Sequence, residues 1–185
     1  MTIDDAAERP SAMDDTTGLR DATGASGGHG FEGPLALAQA LRGALSLALE
    51  QSTRRLCWCD EDFAAWPLGE AEWIAQLTRW VRVGGRELVM ISRDYAVIER
   101  CHPRFVAWRR DWAHAVQCLV PDEARTEALP TLWIDSSDQA LRVFDREHLR
   151  GRIGFDRVDR QRAREDFDAI SQRANPGFAA ATLGL

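Results

Sequence analysis

The chain has 185 residues, 45% of them hydrophobic, with seven tryptophans and a formal net charge of −6. That length accommodates one domain with a sizeable core and a tail, and the negative balance supplies no global field drawing the protein toward nucleic acid or anionic membrane. All 23 basic residues are arginine, which excludes a Schiff-base lysine, a phosphate-loop lysine and a lysine general acid. Residues 1–33 combine Asp4, Asp5, Glu8, Asp14 and Asp15 with small polar residues and carry GASGGHG at 24–30. Such a segment has too little apolar surface to offset its ordering entropy, so a disordered acidic leader is expected there and a single α/β domain over 34–185. The leader lacks the apolar run of a signal peptide. The longest apolar stretch, Leu35 to Leu49, is interrupted by Arg42 and is short for a membrane span. A cytoplasmic chain with reduced thiols is the expectation.

From Pro34 the pattern becomes helical, with Leu37, Leu41, Ala44, Leu45 and Ala48 on one face. RRLCWCD (54–60) reads as a buried strand that ends in acid. The segment 69–85 is an amphipathic helix with Trp73, Ile74, Leu77, Trp80 and Val81 inward and Gly84-Gly85 at its end. RELVMIS (86–92) is a second buried strand. Pro103 divides the next helical region, and Phe105, Trp108 and Trp112 recur at helical spacing after it. AVQCLV (115–120) is a third strand, stopped by Pro121. TLWID (131–135) and ALRVFD (140–145) form a hairpin signal, GRIGF (151–155) a further short strand, and 156–173 a last helix ended by Asn-Pro-Gly. Strands alternating with helices predict right-handed crossovers and a three-layer α/β/α domain with a mixed, largely parallel sheet.

This order of elements over 35–173 resembles one half of the phospholipase D-like fold. The local anchor is ALPTLWID (128–135), which can be set against the family signature H-x-K-x-x-x-x-D. With Asp135 as the motif aspartate, Ala128 stands at the histidine position and Pro130 at the lysine position. The glycine-serine-asparagine stretch that usually follows has no counterpart here. In that family the histidine attacks a phosphodiester and the lysine holds the phosphoryl oxygens. The resemblance therefore implies a scaffold without its reacting groups, since a covalent mechanism cannot run without its nucleophile. It also implies a homodimer, because members made of one half pair to complete their site. The competing reading of 128–135 is an ordinary loop and strand of another α/β fold.

Two other constellations carry chemistry. Asp60 and Asp62, just past the first strand, resemble the Asp-x-Asp of haloacid dehalogenase-like phosphatases, which points to an Mg²⁺-dependent phosphohydrolase as an alternative function. That chemistry also needs a cation for the phosphoryl group and a later acidic pair, and no such pair stands out. Arg93, Arg104, Arg109 and Arg110, with Trp108 and Trp112 between them, offer guanidinium forks and stacking faces for nucleic acid or phosphate; a second arginine cluster spans 150–164. Acidic residues among them favour a solvated, salt-bridged face. Cys57, Cys59 and Cys118 read as core rather than as zinc ligands. No glycine elbow surrounds a serine, and there is no G-x-G-x-x-G. The expected function is a non-catalytic binding or assembly module without a metal or cofactor.

Overall fold

A computed structural model describes residues 28–122, 128–137 and 139–179. The chain runs β1 (His29–Phe31), α1 (Pro34–Glu50), β2 (Arg55–Cys59), α2 (Ala71–Val81), β3 (Glu87–Ile91), α3 (Ala96–Cys101), α4 (Pro103–Asp111), β4 (Val116–Val120), β5 (Thr131–Asp135), β6 (Ala140–Asp145), β7 (Arg150–Ile153), α5 (Arg157–Ser171) and β8 (Asn175–Pro176). Local chemistry accounts for most boundaries. Pro34 opens α1, where a missing N–H costs nothing. The residue before Pro103 is pushed out of the helical region, so α3 and α4 break at His102. The Asp156 carboxylate accepts the Asp159 amide at 2.9 Å and caps α5.

The strands form a single sheet in the order β1-β7-β6-β5-β2-β3-β4-β8. Only β2–β3 and β3–β4 are parallel; the other five pairings are antiparallel. The sheet is mixed as expected, but the expectation that it is largely parallel is wrong. Helix–strand alternation stops at β4. The chain then returns to insert β5 antiparallel against β2, and β6 and β7 continue as a meander.

Side chains alternate cleanly between two cores, as the pleat requires. Leu56 and Trp58 on β2, Leu88 and Met90 on β3, and Trp133 on β5 pack with α1, α2 and α4 on one face. Cys57, Cys59, Val89, Ile91, Leu132 and Ile134 point the other way, where Ala163 and Phe167 of α5 cover them. Trp58 is fully buried at the centre of the larger core, with ring centroids 5.2 Å from Trp133, 5.4 Å from Trp66 and 5.9 Å from Trp73.

Both outer strands were unexpected. The predicted leader reaches too far: His29–Phe31 pairs with β7 and belongs to the sheet, while residues 1–27 lie outside the described residues. Asn175-Pro176, expected only to end the last helix, does follow α5 and in addition pairs with β4. Proline is tolerated there because the strand is an edge. Gly177 follows at a place where a Cβ would lie 2.3 Å from Val120 Cγ2, so only glycine lets the chain approach this closely. The segment is clamped beyond that point. Phe178 stacks on Tyr95 with ring centroids 4.9 Å apart, and the Arg109 guanidinium lies over the Phe178 ring, 4.4 Å from its centroid.

Candidate functional site

The carboxyl ends of β2 and β3 meet the start of β5, and the polar groups of this corner form one network. Asp60 is the first residue past β2 and is only 5% exposed. Its Oδ1 accepts the backbone N–H groups of Asp62 at 3.1 Å and Phe63 at 3.0 Å. Its Oδ2 accepts Trp66 Nε1 at 3.3 Å and Thr131 Oγ1 at 2.5 Å. Four donors occupy the four lone-pair directions of the carboxylate. Arg146 supplies the countercharge: its Nη2 is 3.5 Å from Asp60 and 3.8 Å from Asp62, and its Nη1 donates to Thr131 Oγ1 at 3.2 Å.

Glu61 ties the same corner to the segment before β5. Its Oε1 accepts the Leu129 amide at 2.6 Å and its Oε2 pairs with Arg93 at 2.8 Å. Burial raises the Glu61 pKa, but the Arg93 hydrogen bond, the Leu129 amide and the charges of Arg93 and Arg146 outweigh it, leaving the carboxyl below its ordinary value. A depressed folded-state value means stabilisation that is complete above the usual glutamate range and is lost as pH falls through the folded value. Urea midpoints of Glu61→Gln and the parent are therefore expected to differ near pH 7 and to converge at about pH 3. Equal midpoints at both pH values would remove this role for Glu61.

Against this corner lies an open groove of about 740 Å³, floored by Ala128, Pro130 and Thr131 and walled by β6 and α5. Arg142 pairs with Asp166 across it at 3.0 Å. Arg173 lines the groove, exposed and without an ion pair among the described residues. Phe144 is 70% exposed beside them. These residues were not singled out from the sequence. One signal was legible: along β6, Arg142 and Phe144 share a face, so an exposed phenyl ring occupies a register position that Leu141 and Val143 do not need it to fill.

The sequence-predicted residues are redistributed. Ala128 and Pro130 floor the groove, but Asp135 sits at the far end of β5, opposite Leu56 at the beginning of β2. Its Oδ1 accepts Ser137 N at 2.8 Å, Ser137 Oγ at 2.7 Å and Gln139 N at 3.1 Å, which organises the β5–β6 turn. Asp60 and Asp62 are brought together, by Arg146 rather than by a third carboxylate. Among the described residues no group of three or more His, Cys, Asp or Glu side chains converges as a metal ligand set.

The four arginines suggested for nucleic acid do not form a surface. Arg109 is a correction: it is 6% exposed, donating Nε to Cys118 Sγ at 3.0 Å and a further N–H to the Phe178 carbonyl. Burial and these bonds make it a clamp on the β8 segment. Arg93 is paired with Glu61 and Arg104 donates to the Gly69 carbonyl at 2.9 Å, while Arg110 is exposed on α4. Cys57 and Cys59 face the smaller core and Cys118 the larger one, so the three thiols do not converge. Burial pushes the Cys57 thiol up to about 11 and Cys59 well above its ordinary value. No described helix is long and apolar enough to cross a membrane.

No protein-family model matches this chain, and no curated protein matches it. Among solved structures, that of TrmBL2, an archaeal chromatin protein described as showing a novel mode of DNA binding, is similar at a TM-score of 0.55 and 11% identity, over 82% of this chain and 54% of that one. This chain thus spans about half the length of TrmBL2. At that identity the likeness shows a shared mixed α/β fold alone.

Proposed function

We propose that this chain is a non-catalytic binding module, built like one half of the phospholipase D-like fold, that takes a nucleic-acid strand in the groove between α5 and residues 128–131. The observation that carries the reading is the groove's composition. Alanine and proline floor it where the resemblance puts a nucleophile and a cation, and the neighbouring carboxylates are already held by protein donors. What remains for a ligand is an aromatic face, Phe144, and a guanidinium, Arg173. An exposed ring stacks on any base and a guanidinium fork suits a phosphodiester. DNA binding by TrmBL2, which shares the fold, supports the ligand class. Two copies pairing through their grooves, as the resemblance implies, would double the contact area.

Labelled oligonucleotides titrated at several salt concentrations test this. Binding is expected to weaken with salt. Phe144→Ala should weaken it about tenfold through lost stacking. Arg173→Ala should lower the slope of log K against log salt by about one. Salt-independent or undetectable binding would defeat the proposal, as would affinities unmoved by both substitutions. Phosphodiester turnover that vanishes when one named side chain is removed would defeat its non-catalytic part, and sedimentation showing monomer alone would remove the pairing.

A further inference from the structure

The face of the sheet opposite α5 carries a second groove. α2 joins β2 to β3 and α4 leads into β4, and these three strands run parallel, so both helices point the same way across the larger core. Arg104, at the start of α4, donates to the Gly69 carbonyl just before α2 at 2.9 Å, which shows which ends meet. Between the helices runs an open groove of about 520 Å³. Ile74 of α2, Ala107 and Trp108 of α4, and Trp112 just past α4 give it an apolar lining. Ala71 and Ala107 are too small to fill the trough. Thr78 also lines it, but its hydroxyl donates to the Ile74 carbonyl at 2.7 Å and is spent within the helix. Charge is confined to the ends. Arg82 and Asp111, of opposite sign, lie where α2 and α4 finish. At the other end Arg104 stands without an acid in the lining, and among the described residues no carboxylate pairs with it.

The occupant must therefore be apolar along its length and anionic at one end. Sites for small molecules occupy roughly 300–1,000 Å³, a range that includes this groove. A partner helix is about 10–12 Å thick, while packed helices lie about 8–10 Å apart, so a helix would ride on the rims and leave the floor empty. An extended alkyl chain enters. The 11 residues of α2 give the trough a length of about 16 Å. The Gly69 carbonyl aims the Arg104 guanidinium and leaves its other N–H groups for a carboxylate, a charge-assisted pairing. We infer that the α2–α4 groove binds a medium-chain fatty acid, with the carboxylate on Arg104 and the chain running over Trp108 toward Trp112. The site is independent of the nucleic-acid reading, since that groove lies on the α5 face of the sheet.

Titration of the full chain with decanoate below its micelle concentration, followed through the tryptophan indole N–H resonances, reads this directly. The Trp108 and Trp112 signals, assigned from Trp108→Phe and Trp112→Phe, should move saturably while the Trp58 signal stays in place. Octanoate should bind about fifteenfold more weakly, the loss of two buried methylenes. Arg104→Gln should weaken decanoate about tenfold and leave decanol unchanged. Arg110→Gln, on α4 but outside the groove, should change neither. Ala107→Phe, at an exposed helical position, should fill the trough and abolish binding. Equal affinity for octanoate and decanoate, or decanoate binding that survives both Arg104→Gln and Ala107→Phe, would overturn the inference. So would Trp108 and Trp112 signals that ignore decanoate and move only with protein concentration, which would assign the groove to a second copy.

Discussion

Asp60→Ala is expected to lower folding stability by about 3–5 kcal/mol, read as the shift of the urea midpoint at neutral pH. The substitution removes the shared acceptor of two backbone N–H groups, the Trp66 indole and the Thr131 hydroxyl, all in a buried corner. It also leaves Arg146 without its buried partner. Asp60→Asn keeps the volume and one acceptor oxygen, but its amide nitrogen must face the Asp62 and Phe63 amides or the Trp66 indole, N–H groups that cannot accept from it. A loss of about 2 kcal/mol is expected. The sign of these changes separates two roles. A carboxylate retained for nucleophilic attack on phosphorus is commonly a stability liability, and replacing it tends to stabilise. A carboxylate that closes a network does the reverse. Unchanged or raised midpoints in both variants would sink the structural role of Asp60 and restore the phosphohydrolase alternative.

Trp58→Ala should be of similar size, about 3–5 kcal/mol, and for a different reason. Trp58 is fully buried and touches the rings of Trp66, Trp73, Phe105 and Trp133. Deleting it opens a cavity whose aromatic walls are fixed by β2, β5, α2 and α4 and cannot collapse into the space. Domains of this size are stable by about 5–15 kcal/mol, so thermal unfolding is expected to begin many degrees lower. Trp58→Phe isolates the volume term from the polar one. The buried Trp58 Nε1 has no hydrogen-bond partner among the described residues, so its removal breaks no bond there. That variant should lose less than half as much as the alanine variant. Equal losses in the two would show that the indole nitrogen matters more than the packing.

Elements with a strong local period were legible in the sequence. The apolar stripe of α1, the tryptophan face of α2 and the short buried runs of β2, β3 and β4 each announce themselves within a dozen residues. The position of β5 did not, because nothing in TLWID says whether its neighbour is β4 or β2, or which way it runs; that is decided by pairing far along the chain. The outermost strands were invisible for the same reason. A three-residue and a two-residue strand exist only because a partner edge receives them. The candidate site was half legible. Asp60, Asp62, Ala128 and Pro130 were picked out and do meet at one corner. Thr131, Arg142, Arg146 and Arg173 reach it from β5, from β6 and its end, and past α5, and long-range convergence has no signature in spacing. Arg109 misled because a charged residue beside tryptophans suggests a surface, whereas Phe178, distant in sequence, draws it inside.

The placement of β1 and β8 at opposite margins of the sheet has a consequence for how this domain can be attached to anything else. Seven inter-strand steps separate the two margins, roughly 30 Å at the usual strand spacing. The outer strand ends, His29 and Pro176, therefore lie on opposite flanks, so that segments fused directly at these two ends would be held apart by the sheet. Joining those ends to make a circularly permuted protein would demand a bridge of about ten extended residues.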